Sequence, residues 1–235
     1  MDETDENDRE GCEHVAATPL FFLPRCVRTA LRLGSRHLLG NGAKVRKNIA
    51  SRAKDMLKIY YLHGFASRFD ITSDKLKALA KLGPVYGHDI DYTQVSEDVI
   101  EGSLDKLMQV NPDLLVGTSM GGWLAGILGA ESGIPFVAIN PVTDPGHTLK
   151  PWIGQGVDHQ GHAYQLTDEV VSSYYPFTPY GSGLVLLDQG DELIPWNDTV
   201  RALGDYFPVH SFEGGSHRFE HTEEALKLIR EHVKD

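Results

Sequence analysis

The segment Gly117-Thr118-Ser119-Met120-Gly121 follows the apolar run Leu114-Leu115-Val116 and precedes Gly122-Trp123-Leu124-Ala125, which reads as the start of a helix. A G-x-S-x-G pentapeptide in that setting describes a buried strand that turns sharply into a helix with a serine at the corner. The serine there holds a strained backbone, and the positions two residues to either side pass too close to neighbouring backbone to carry side chains. Gly117 and Gly121 meet that requirement. The turn lifts the Ser119 hydroxyl above the sheet edge. It also aims the first amides of the helix at the same point, where a developing oxyanion would be held.

A serine becomes a nucleophile only with a base and an acid beside it, and in this chain order both follow the serine in loops after later strands. Leu184-Val185-Leu186-Leu187 has the short apolar character of a buried parallel strand and leads into Asp188-Gln189-Gly190-Asp191-Glu192-Leu193-Ile194-Pro195. Three acids compete there. Asp191 is favoured because it lies beyond Gly190 at the loop tip, whereas Asp188 at the strand end reads as a turn-bonding residue and Glu192 as a solvated one. A final strand candidate, Val209-His210-Ser211-Phe212, is followed by Glu213-Gly214-Gly215-Ser216-His217, and its two glycines free the loop to turn the imidazole over the strand ends. His217 is therefore the candidate general base, with Asp191 to fix its tautomer. Among the eleven histidines, His210 reads as a packed strand residue and His221 as a surface or capping residue ahead of the last helix.

The second oxyanion donor is expected from the loop after an early strand. Leu57-Lys58-Ile59-Tyr60-Tyr61-Leu62 is strand-like and His63-Gly64-Phe65 follows it, so the N–H of Phe65 is expected to join that of Met120. His63 is expected to support that loop structurally.

The remaining chain alternates strand and helix. Thr72-Ser73-Asp74 opens a helical spacing of Leu76, Leu79, Ala80 and Leu82, stopped by Gly83-Pro84, and Val85-Tyr86 begins a short strand. Val95, Val99, Ile100, Leu104, Leu107 and Met108 form one face of a helix ended by Asn111-Pro112. Further helices are expected over 121–132, 197–206 and from Ala225 to Val233, with a strand over Phe136-Val137-Ala138-Ile139. The alternation predicts an α/β fold with a mostly parallel sheet and helices on both faces. Residues 141–182 are expected to form a short cap. Its Trp152, Tyr164, Tyr174, Tyr175 and Phe177 suit either an aromatic-lined lid for an acyl or aryl group or a crossover packed onto the sheet. Asp158, His159 and His162 have a spacing that on a helix would suggest metal, but the neighbouring glycines and prolines speak against a helix, so no metal site is expected.

Tyr61-Leu62-His63-Gly64-Phe65, Gly117-Thr118-Ser119-Met120-Gly121-Gly122, Ile139-Asn140-Pro141, Gly190-Asp191-Glu192 and Glu213-Gly214-Gly215-Ser216-His217 together resemble the YqiA-type small esterases of the α/β-hydrolase superfamily, over about residues 56–235. Members often carry Gly-Asp-His near the end, where this chain has Gly215-Ser216-His217. The resemblance implies an α/β-hydrolase fold, ester or thioester cleavage, a Ser119-Asp191-His217 triad and no cofactor.

The first 55 residues differ in character. An acidic opening from Asp2 to Glu13 gives way to a basic, irregular stretch with Arg25, Arg28, Arg32, Arg36, Arg46, Lys47 and Arg52. Residues 1–55 are expected to be a disordered or irregular extension, with Met56 as a candidate native start. The run Leu20-Phe21-Phe22-Leu23 is too short for a secretory signal and is cut by Pro24. A formal net charge of -11 leaves no broad basic surface for nucleic acid. Cys12 and Cys26 both lie in this extension, so no disulfide framework supports the domain. No apolar run approaches the roughly 18 residues needed to cross a bilayer. The expectation is a cytoplasmic serine esterase or thioesterase acting on a small-molecule ester or thioester, without cofactor or metal. The alternatives are a lactonase, amidase or carbon-carbon hydrolase using the same triad, or a non-catalytic binding protein on this fold.

Overall fold

The computed structural model describes residues 56–234, so the expectations for residues 1–55 lie outside the described residues. Four buried segments and two edge segments form strands β1 (Ile59–Leu62), β2 (Val85–Gly87), β3 (Leu114–Thr118), β4 (Phe136–Ile139), β7 (Gly183–Asp188) and β8 (Val209–Phe212), with β2 and β8 at the edges. They pair in the order β2-β1-β3-β4-β7-β8, every pair parallel. Parallel pairing brings all the C-terminal strand ends to one edge, which is where an open α/β sheet presents its site.

Both faces of this sheet are covered, and the strand sequences show why. In β1 and β3, Tyr60, Leu62 and Leu115 face one apolar cluster while Ile59, Tyr61, Leu114 and Val116 face the other. These strands are therefore buried at every position instead of alternating with exposed polar residues. Helices α2 (Ser96–Val110), α3 (Met120–Ser132) and α6 (Trp196–Leu203) supply the first cluster; α1 (Asp74–Leu79) and α7 (Thr222–His232) supply the second. The start of α1 is set by Ser73, whose hydroxyl accepts from Leu76 N–H, and α2 ends where Asn111 enters the left-handed region at φ 50°.

Between β4 and β7 the chain forms the short helix α4 (Pro145–Thr148), a 3₁₀ turn, an antiparallel hairpin of β5 (Gly154–Val157) and β6 (Ala163–Leu166), and the helix α5 (Asp168–Ser173). Its aromatics fall into two groups. Tyr174 and Phe177 are buried against Trp123 and Phe136, whereas Trp152 and Tyr164 lie against Phe65 in the loop after β1. The Asp158–His162 segment is the hairpin turn: Asp158 accepts from the amides of Gln160 and His162 and pairs with Arg68. No group of potential metal ligands occurs among the described residues. Among these residues no helix is long and apolar enough to cross a membrane.

Candidate active site

Ser119 stands between β3 and α3 with φ 58° and ψ -122°, a conformation that side chains rarely hold. Its own backbone fixes it: Ser119 N–H donates to Ile139 O at 3.0 Å, while Ser119 O accepts from Gly122 N–H and Val142 N–H. The flanking glycines are obligatory for the reason read from the spacing. A Cβ on Gly117 would stand 1.8 Å from Gly121 O, and one on Gly121 would stand 2.0 Å from Leu62 O. A Cβ on Gly64 would meet the Ser119 Cβ at 3.0 Å, so the loop after β1 passes directly beside the serine. Met120 opens α3, so its amide has no partner within the helix. Phe65 follows Gly64 in the β1 loop.

That loop is held by His63, which is buried. His63 Nε2 accepts from Ile90 N–H at 2.8 Å, so the ring proton sits on Nδ1 and is donated to Gly64 O at 2.8 Å. Burial pulls the His63 pKa below its ordinary value and keeps the ring neutral. The role is structural, as expected. On the outer side of Phe65 a cleft of about 460 Å³ is lined by Arg68, Asp89, Asp91, Tyr92 and Tyr164, and not by Ser119, Asp191 or His217.

Asp191 and His217 meet across two loops. His217 Nδ1 lies 2.8 Å from Asp191 Oδ2 and 3.0 Å from Oδ1, with side-chain exposures of 17% and 2%. Asp191 Oδ1 also accepts from the amides of Leu193 and Ile194. An ionised carboxylate only accepts, so Nδ1 carries the ring proton and Nε2 is left as a base. Among the described residues no hydrogen bond joins Ser119 Oγ to His217; in serine hydrolases such contacts commonly tighten only with substrate.

Four sequence expectations need correction or refinement. Glu192 is exposed but not merely solvated: its Oε2 accepts from His217 N–H at 2.9 Å, which holds its pKa below the ordinary value. His210 is exposed on β8 instead of packed, because β8 is the sheet edge and its burial is partial. His221 does precede α7, yet its side chain is drawn inward, with Nδ1 2.7 Å from the fully buried Asp188 and the ring stacked on Phe212 at 5.0 Å. Asp188 bonds the histidine loop rather than its own turn, accepting from Ser216 N–H at 3.2 Å and Glu220 N–H at 2.7 Å. The signal in the sequence was the doubling of acids at 188 and 191 and of histidines at 217 and 221.

Asn140, at φ 41°, ties these parts together: its Oδ1 accepts from Asp188 N–H at 2.8 Å while Nδ2 donates to Ser216 O and His217 O. Behind β3, Thr118 Oγ1 accepts from Tyr61 O–H and from the partly buried Lys75 Nζ. Burial pulls the Lys75 ammonium down to about 8, against the opposing pull of the Asp188 carboxylate.

The sheet order, the strained serine corner and the loops gathered at one edge define an α/β-hydrolase fold. Among solved structures the chain is similar to Est1E from Butyrivibrio proteoclasticus, with a TM-score of 0.57 at 16% identity, covering 76% of this chain and 86% of that one. One structure of that protein has ferulic acid bound. It is also similar to a monoacylglycerol lipase from Paleococcus ferrophilus, with a TM-score of 0.55 at 14% identity over 75% of this chain and 93% of that one. At these identities the likeness concerns the fold. Residues 58–233 match the uncharacterised protein family UPF0227, and the chain belongs to that family. A UPF0227 protein of Shewanella sp. (strain MR-7) is 25% identical over 185 residues, 73% of this chain and 97% of the relative. The UPF0227 protein YcfP of Salmonella gallinarum is 24% identical over 178 residues, 73% and 96% of the two chains.

Proposed function

We propose that this chain is a serine hydrolase that cleaves carboxylic esters or thioesters through an acyl-enzyme on Ser119. The observation that carries the reading is the pairing of two costly features at one sheet edge. One is a serine held at positive φ; the other is a histidine whose Nδ1 is committed to a buried carboxylate. In the proposed reaction Ser119 Oγ attacks the carbonyl carbon and its proton passes to His217 Nε2. The tetrahedral oxyanion accepts from the amides of Phe65 and Met120, each worth about 3 kcal/mol. Collapse breaks the bond to the alcohol or thiol, which leaves with the proton from Nε2. Water then attacks the acyl-enzyme, giving a proton to Nε2, and the acid departs as that proton returns to Ser119. Binding of ferulic acid by Est1E, on the same fold, is in keeping with acyl or aryl substrates.

The test uses the full chain and its Ser119→Ala variant with a fluorophosphonate probe, a p-nitrophenyl acyl series and matched thioesters. Stoichiometric labelling and turnover in the parent, both abolished in the variant, are expected. A folded parent that neither labels nor turns over would overturn the reading in favour of a binding protein.

A further inference from the structure

The Asp188–His221 pair has no place in the reaction just described, yet it places a fully buried carboxylate at this edge. The Asp188 side chain has 0% exposure and ends β7. It faces three donors: Ser216 N–H, Glu220 N–H and His221 Nδ1. The loop wraps onto it so closely that a Cβ on Gly215 would stand 1.9 Å from Asp188 Oδ2. The same loop is costly in backbone terms. Gly214 and Gly215 sit at φ 74° and 72°, and Phe219 at φ 62° although it is a bulky aromatic. Glu220, which follows Phe219, gives its amide to Asp188 at 2.7 Å.

We infer that Asp188, with His221 as its partner, is the positioning residue that fixes the His217 loop in the geometry His217 needs toward Asp191. The backbone from Ser216 to Glu220 is bracketed by the two amides bound to Asp188, and His217 lies inside that stretch, next to Ser216. Inside the loop Phe219 N–H donates to Ser216 O at 2.9 Å, which closes the turn on itself, but among the described residues no other side chain outside the loop is seen to bond both ends. Asn140 reaches Ser216 O and His217 O but not the Phe219 end, and Glu192 reaches only His217 N–H. Charge makes the bracket strong: a carboxylate accepting short bonds from amides and an imidazole is held more tightly than a neutral acceptor. The arrangement is specific to aspartate. Asn at 188 still offers one oxygen to the amides, but its amide nitrogen would then confront the Nδ1–H of His221, donor against donor.

The kinetic part of this inference rests on the proposed hydrolase reading; the structural part does not. The experiment takes the full chain as parent, Asp188→Asn, His221→Ala and His221→Asn. It measures fluorophosphonate labelling, kcat and KM on the best p-nitrophenyl ester, circular dichroism, and the downfield proton resonance of His217 Nδ1. That resonance is identified by its loss in Asp191→Asn. Folded Asp188→Asn is expected to lose on the order of 100-fold in kcat, as for a catalytic group displaced by about 1 Å, with KM within threefold and the Nδ1 resonance shifted or broadened. His221→Ala is expected to move both in the same direction by about tenfold, and His221→Asn, which returns a donor, to recover most of that loss. Parent kcat and an unmoved resonance in Asp188→Asn would overturn the inference. Should Asp188→Asn not fold, His221→Ala decides: lowered stability with kcat and resonance unchanged would equally overturn it. Should the parent itself neither label nor turn over, the hydrolase reading falls, and the resonance alone decides whether Asp188 places His217.

Discussion

Replacing Ser119 by glycine is expected to stabilise the protein while removing the proposed nucleophile. At φ 58° and ψ -122° the serine holds a backbone that costs an L-residue about 1–3 kcal/mol and costs glycine almost nothing. Glycine loses more freedom on folding, a counter-term of about 0.5–1 kcal/mol. The hydroxyl makes no hydrogen bond to the described residues, so its removal adds no further loss. The balance favours Ser119→Gly over Ser119→Ala by about 1 kcal/mol, or about 2–4 °C in Tm for a domain of this size. The measurement is urea unfolding followed by circular dichroism, with Ser119→Ala as the reference because it removes the hydroxyl and keeps the Cβ. The reasoning fails if Ser119→Gly is less stable than Ser119→Ala, the order expected at an unstrained position.

Gly121→Ala is expected to destabilise by at least about 2–3 kcal/mol, because its Cβ would overlap Leu62 O, a backbone atom that cannot step aside. Gly102→Ala, on the exposed middle of α2 with nothing within 4 Å, is expected to stabilise by about 0.5–1 kcal/mol in the same unfolding assay. Lys75 is held at about 8 in the fold, so between that value and its ordinary 10.5 the unfolded chain binds the extra proton. Stability from this group therefore rises with pH across that window, and Lys75→Met should remove the rise and gain about 1 kcal/mol at pH 7. The His63 value lies below 6.5 in the fold, so its contribution is complete above 6.5 and is lost as pH falls beneath it. The stability difference between parent and His63→Asn is expected to shrink from pH 7.5 to pH 5 in urea titrations.

Much of the architecture was legible because the central parallel strands are short, mostly apolar, and separated by helices with readable ends. The strands at 136–139 and 209–212 fall where the pattern put them, and α2 ends at Asn111 as read, although through a left-handed cap and not the extended conformation that the following proline favours. The β5–β6 hairpin was not legible. Its strands are four residues each and largely exposed, and Gly-Gln-Gly-Val offers neither β-branched density nor an apolar face. At the site, Ser119, Asp191 and His217 could be chosen because each choice depends on a local feature: a glycine-flanked corner, a loop tip, a glycine-rich turn. Glu192, Asp188 and His221 could not, since their partners lie 25, 28 and 33 residues away and are set only when the two loops meet.

The doubling of acid and histidine at this edge has a physical logic that one pair alone would not satisfy. In the proposed reaction His217 must gain and lose a proton twice per turnover, so its contact with Asp191 must tolerate a change of ring charge and stay open to substrate. Its side chain keeps 17% exposure, against 2% for its Asp191 partner. A loop that had to derive its shape from the same contact would be loosened whenever the ring charge changed. Asp188 takes over that task from a site with no solvent access, through two backbone amides that cannot titrate and a histidine stacked on Phe212. In that reading shape and proton traffic are carried by separate carboxylates three residues apart, one at the end of β7 and one in the loop after it. The expected division in the Asp188 variants, kcat falling while KM holds, is the kinetic form of that separation.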